Sequence, residues 1–290
     1  MNKLLLVFSL SLSFNLPGIA QQLETFESNG KYGMKESISG KVIMAPRYDE
    51  IYIFSEGLAI VTLDEQYGYV DKTGKEVIAP QYAEATSFSE GLASVSDGTG
   101  WGYIDKTGKV VLPFEYDEAN PFNEGLAFVA KNGSSGAIDK TGKVIIPLIY
   151  DYGMSFSQGL AVVEKDGFSG IIDLKGNFVV PMKYLEIDDY SQGLASVNKD
   201  NRWGFINRQG QEVIKPEYDY ASPFSEGLAA VMIAEKGGYI DLQGNIVIPL
   251  IYDKTGTFSG GLSMVEMNGK QFYIDRKGNC VEHDGLPCGK

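Results

Sequence analysis

Residues 101–131 read WGYIDKTGKVVLPFEYDEANPFNEGLAFVAK. Three runs rich in Val, Ile, Leu, Tyr and Phe are separated by Asp-Lys-Thr-Gly and Phe-Asn-Glu-Gly, and Gly or Pro interrupts each stretch before a helix could bury a face. The pattern predicts strands over Trp101–Asp105, 109–116 and Leu126–Lys131. Asp105-Lys106-Thr107-Gly108 fits a type I turn with Gly in the left-handed position. Phe122-Asn123-Glu124-Gly125 is a second turn, where Gly supplies a backbone angle that other residues resist. Pro113 has no N–H for a ladder, so the second strand lies at a sheet edge or bends there.

The stretch recurs along the chain. Gly33, Gly68, Gly102, Gly136, Gly170, Gly204 and Gly238 follow one another at 35 residues and then five times at 34. From Gly68 onward each precedes two mostly apolar residues and an acid or amide, as in Tyr69-Val70-Asp71 and Phe205-Ile206-Asn207. The first unit departs with Met34-Lys35-Glu36, and the triplet returns at Tyr273-Ile274-Asp275 to open an eighth, incomplete unit. Each unit runs on through a turn Gly, a β-branched run, a Pro and a Tyr. It closes on Phe-Ser-Glu-Gly-Leu-Ala or a near copy, as at 88–93 and 224–229. A period of 34 is shared with helical tetratricopeptide repeats, but the Gly, Pro and β-branched content decides for strands.

Composition narrows the function. The 290 residues carry 25 Lys and Arg against 38 Asp and Glu, a formal charge of −13. That leaves no positive face for counterion release, so nucleic acid is not an expected partner. With 43% hydrophobic and 12% aromatic residues the chain can bury a large core. The single histidine, His283, stands near the end, so no Ser-His-Asp, Cys-His or multi-His zinc site can be assembled in the body. No motif calls for a cofactor.

The first 20 residues read as a secretory leader: Lys3, an apolar run from Leu4 to Phe14, and the small-x-small ending Gly18-Ile19-Ala20, with cleavage near Ala20/Gln21. The run is too short for a membrane span, which needs about 20 residues, and no later segment is long and apolar enough. A periplasmic or secreted address is expected. The only cysteines, Cys280 and Cys288, are expected to close a small loop that staples the C-terminal end. The expected organisation is a leader over 1–20, a repeat array over 21–281 and a tail over 282–290.

The repeat resembles the WG repeat family of bacteria, named for the pair seen at Trp101-Gly102 and Trp203-Gly204. The wider pattern matches over essentially the whole mature chain, although Tyr32, Tyr67, Ser135, Ser169 and Gly237 replace the Trp. The resemblance implies a tandem β-repeat protein, often exported, and carries over no catalytic residue.

Several recurrent residues invite chemistry. Asp71, Asp105, Asp139, Asp173, Asp241 and Asp275 precede a turn Gly and could suggest calcium, yet each turn has one carboxylate, which suits an Asp capping its own turn. Glu56, Glu90, Glu124 and Glu226 could suggest glycosidase acids, but copies of one structural position lie a repeat apart. The Tyr-Asp pairs, among them Tyr116-Asp117, Tyr150-Asp151 and Tyr218-Asp219, are candidates for an aromatic and acidic binding ladder, or else pack between units and end strands. Unit five departs from the pattern with Leu185-Glu186-Ile187-Asp188-Asp189-Tyr190, which makes Asp188, Asp189 and Tyr190 further binding candidates. The segments 97–100, 132–134, 165–168 and 199–202 read as connections between units.

The expected architecture is all-β, an open solenoid-like array of three-stranded repeats, with a propeller-like closed ring as the alternative. The expected function is a non-catalytic binding or scaffold protein that recognises a protein or glycan. The alternative is a polysaccharide hydrolase using an acid such as Asp188 or Asp189.

Overall fold

A computed structural model describes residues 22–288, so the expected leader over 1–20 and its cleavage point lie outside the described residues. The described chain is built of strands and turns in eight antiparallel sheets. The first has three strands, Leu23–Ser28, Lys31–Glu36 and Val42–Tyr48. Seven four-stranded meanders follow, beginning at Glu50, Glu84, Glu118, Tyr152, Glu186, Tyr220 and Lys254. Among the described residues no helix is long and apolar enough to cross a membrane.

The fourth sheet shows the common plan, with strands Glu118–Ala119, Leu126–Lys131, Ser134–Asp139 and Val144–Tyr150 in spatial order. The first of these was not expected, since two residues are too short to display an alternation. It also shifts the phase of the structure against that of the sequence. Each four-stranded sheet joins the end of one sequence unit to the start of the next, and the step between sheets falls within Tyr116-Asp117 and its equivalents. The segments 97–100, 132–134, 165–168 and 199–202 are therefore hairpin turns inside sheets, not connections between them.

Proline acts as expected. The fourth strand of each sheet is an edge, and in the third sheet the register passes from Trp101↔Tyr116 to Tyr103↔Leu112, two residues against four, so the strand bulges at Pro113. The bulge explains the periodic glycine. A Cβ on Gly102 would stand 2.7 Å from the Leu112 carbonyl oxygen, and one on Gly204 would stand 2.5 Å from that of Ile214.

The cores lie between successive sheets. Tyr103, Leu112 and Tyr116 of the third sheet enclose Phe122, Val129 and Ile138 of the fourth, and equivalent clusters recur along the chain. Among the described residues no strand pairing joins the first sheet to the last, and the array is open.

The C-terminal end carries its own closure. The eighth sheet has four strands, the last shortened to Cys280–Val281, and Cys280 is disulfide-bonded to Cys288. Within that loop His283 bridges Leu286, with Asp284 at φ 49° and Gly285 at φ 74°. This copies the Ser55↔Leu58 turn, where Glu56 has φ 49° and Gly57 φ 91°. The tail is thus a miniature of the inter-strand loop, placed on the end of the array. Cross-linking residues eight apart stabilises it by roughly 2–3 kcal/mol in the loop-closure account.

Candidate functional site

The Phe-Ser-Glu-Gly loops, between the first and second strands of each sheet, latch one sheet to the next. Phe122 is buried and its ring lies 4.8 Å from that of Tyr103 in the preceding sheet, whose hydroxyl donates to the Asn120 carbonyl at 2.8 Å. Ser89 Oγ donates to the Phe122 carbonyl at 2.7 Å, and the Glu90 carboxylate accepts the Gly125 N–H at 3.1 Å. Lys140 then reaches back from the next sheet, with Nζ 3.1 Å from Glu90 Oε2 and 2.8 Å from its carbonyl. Burial pushes the Glu90 carboxyl up, yet the Lys140 ammonium and the backbone N–H groups outweigh it and hold the group below its ordinary value. Glu90 itself sits at φ 52°, so the loop presents its carboxylate from a left-handed residue.

The same bonds recur from Ser55 and Glu56, from Asn123 and Glu124, from Ser191 and Gln192, and from Ser225 and Glu226. They fail at one internal junction. Between the fifth and sixth sheets, Ser157 and Gln158 make no side-chain hydrogen bond to the following loop among the described residues. Three residues here differ from the junction between the third and fourth sheets. Ile171 stands where Tyr69, Tyr103 and Tyr239 stand, so no hydroxyl reaches the carbonyl across the junction, as is also the case at Ala137 and Phe205, where the latch is kept. Tyr190 replaces the buried Phe and turns its own hydroxyl to the Asn207 carbonyl at 3.0 Å. Gln158 replaces the Glu, so Arg208, in the position of Lys140, has no carboxylate to reach and lies 4.9 Å over the Tyr190 ring.

At this junction lies a cleft of about 480 Å³, lined among others by Asn120, Tyr152, Ser157, Asp188, Tyr190 and Arg208. Asn123, Met154, Phe156, Ile171 and Asp189 also line it. Asp188 accepts a hydrogen bond from Ser196 Oγ, whereas Asp189 is exposed. Tyr190 is half-buried, and burial pushes its phenol up to about 12 despite the nearby Arg208. Glu186 beside the cleft is pushed above the ordinary carboxyl range, by burial first and then by Asp188 and Glu164.

Comparison with known proteins bears on the repeat. The model of the WG containing repeat matches residues 37–67, 67–98, 101–134, 136–167, 170–203, 203–236 and 238–270. The chain belongs to the WG containing repeat family. No curated protein matches it. Among solved structures, a eukaryotic initiation factor is similar with a TM-score of 0.54 at 13% identity, covering 91% of this chain and 84% of that one. The dihydro-heme d1 dehydrogenase NirN has a TM-score of 0.43 at 13% identity over 93% of this chain and 74% of that one. Kluyveromyces lactis Hsv2 has a TM-score of 0.42 at 10% identity over 92% and 96%. The initiation factor shares the fold alone.

Within the WG units the other sequence candidates fall to structural duties. The rings of Tyr116, Tyr150 and Tyr218 are buried in the cores between sheets. Asp117 accepts the Gly133 N–H at 3.0 Å, Asp151 that of Asp166 at 2.7 Å and Asp219 that of Ala234 at 2.7 Å, each fastening a hairpin turn. Asp105 Oδ1 takes the N–H groups of Thr107 and Lys109, and its carboxyl is held low by the Thr107 hydroxyl first, then by those N–H groups. Among the described residues no three His, Cys, Asp or Glu side chains gather as metal ligands.

The structure therefore brings Asp188, Asp189 and Tyr190 to one cleft and leaves the three Tyr-Asp pairs outside it. The reading from sequence missed Tyr152, Ile171 and Arg208. A signal for two of them was present: aligning the units sets Ile171 against Tyr103 and Arg208 against Lys140, exchanges that acquire meaning only once the junction is seen.

Proposed function

We propose that this WG repeat protein is a non-catalytic binding or scaffold module, exported from the cell, that recognises a protein or glycan through its repeat surface. The observation that carries this reading is the contrast in how its acids are used. Glu56, Glu90, Glu124 and Glu226 accept backbone N–H groups of the next loop, and the turn aspartates cap their own turns. Polar groups not consumed in this way converge at the junction of the fifth and sixth sheets, in a cleft of the size that small ligands occupy. The Cys280–Cys288 disulfide suits an oxidising compartment.

Binding without turnover has a direct test. A ligand in hundredfold excess over its Kd should stabilise the fold by about 2.7 kcal/mol and raise the melting temperature, while leaving the chain competent for repeated titration with unaltered ligand. Conversion of the ligand during such a titration would refute the reading.

A further inference from the structure

We infer that the cleft between the fifth and sixth sheets is a carbohydrate subsite for a short, neutral oligosaccharide segment, an assignment that rests on the binding reading above. The groups on its walls suit the alternating faces of a sugar. Tyr152 is 48% exposed and offers a ring on which the C–H face of a pyranose can stack, and Tyr190 supplies a second ring fixed in place by its bond to Asn207 and by Arg208 above it. Asp188 and Asp189 supply acceptors, Arg208 supplies donors, and the Asn120 side-chain amide supplies both. Neither Asp189 nor Arg208 forms an ion pair among the described residues, so both keep hydrogen-bonding capacity for vicinal hydroxyls.

Charge selects among ligands. An acidic polymer would meet the field of a chain with a formal charge of −13, and a basic peptide, though drawn by that field and by Asp188 and Asp189, would have to seat a cation against Arg208 on the cleft wall. A purely apolar ligand would strip water from the two carboxylates and the guanidinium without replacing their hydrogen bonds. A neutral polyhydroxylated ligand avoids all three costs. The open latch adds a reason for the place: Ser157 lines the cleft and has no partner in the next loop, unlike Ser89 and Ser191 at regular junctions.

The experiment probes the disulfide-bonded chain on an array of neutral oligosaccharides, followed by calorimetric titration with the strongest hit and with trilysine. Tyr152→Ala and Asp189→Ala are compared with Tyr220→Ala, which removes the repeat-equivalent exposed ring outside this cleft. All three side chains are at the surface, and a melting curve of each variant checks folding. The expected result is saturable binding of a neutral oligosaccharide, weakened at least tenfold by Tyr152→Ala and by Asp189→Ala and unchanged by Tyr220→Ala. Absence of any oligosaccharide binding, or binding indifferent to Tyr152 and Asp189, overturns the inference. Trilysine binding that depends on Tyr152 overturns it in favour of a peptide site and leaves the binding reading intact. Release of sugar that Asp189→Ala abolishes overturns the non-catalytic reading as well.

Discussion

The junction between the third and fourth sheets and the one between the fifth and sixth occupy the same place in the repeat and do different things. At the first, Tyr103 packs on Phe122, its hydroxyl meets Asn120, and Ser89, Glu90 and Lys140 tie the loops. At the second, Ile171 and Tyr190 stand in the places of Tyr103 and Phe122, Gln158 removes the carboxylate, and Arg208 covers its own sheet's ring. A tandem array tolerates such a lapse because each sheet contacts chiefly its neighbours, so a weak junction is local. The first junction shows what the family repeat is for; the second shows how a few substitutions turn a structural joint into a cleft.

The largest expected difference comes from removing the ring. Phe122→Ala should cost about 3–5 kcal/mol, as for a buried aromatic. Tyr190→Ala should cost clearly less, because its ring is half-buried beside open space. Equilibrium denaturation of both variants measures the gap, and equal losses would mean that the second junction is as tightly packed as the first.

Repairing the irregular junction is the complementary change. Ile171→Tyr combined with Tyr190→Phe restores the regular pair and should stabilise the chain by about 0.5–2 kcal/mol through cavity filling. A thermal melt reads the gain, and a fall in stability would show that the flanking walls cannot accept the Tyr ring.

The latch itself should separate the junctions more finely. Ser89→Ala removes a bond to the Phe122 carbonyl and should cost about 0.5–1.5 kcal/mol, whereas Ser157→Ala should leave the unfolding midpoint in place. A comparable loss in both would place a latch at the fifth sheet that the structure does not show.

Acid titration gives the smallest signal. The Glu90 carboxyl is held below its ordinary 4.5 in the folded chain, so its contribution is complete above that value and is lost as the pH falls through the lower, folded-state value. Lys140→Met should flatten this part of the stability profile, and Arg208→Met, at the junction without a carboxylate partner, should not. Stability followed from pH 7 downward by urea denaturation distinguishes the two.

Much of this was legible in the residues. The 34-residue period, the turn at Asp105-Lys106-Thr107-Gly108, the edge placement of Pro113 and the Cys280–Cys288 bond all follow from local chemistry, and the structure contains each of them. The strand Glu118–Ala119 was not legible, because two residues carry no periodicity and pair only after the chain has turned at Pro121 and Phe122. Nor was the duty of Glu90, since its partners Gly125 and Lys140 lie 35 and 50 residues away.

By itself the sequence determined the repeat, its strands and its turns, because alternation, left-handed glycines and proline's missing N–H act within a few residues. Only the tertiary structure decided where one sheet ends and the next begins, and that Ile171, Asp188, Tyr190 and Arg208 share one cleft. The reason is physical: stacking of whole sheets brings together residues that no local rule relates, and a cleft forms where that stacking lacks a ring to fill it.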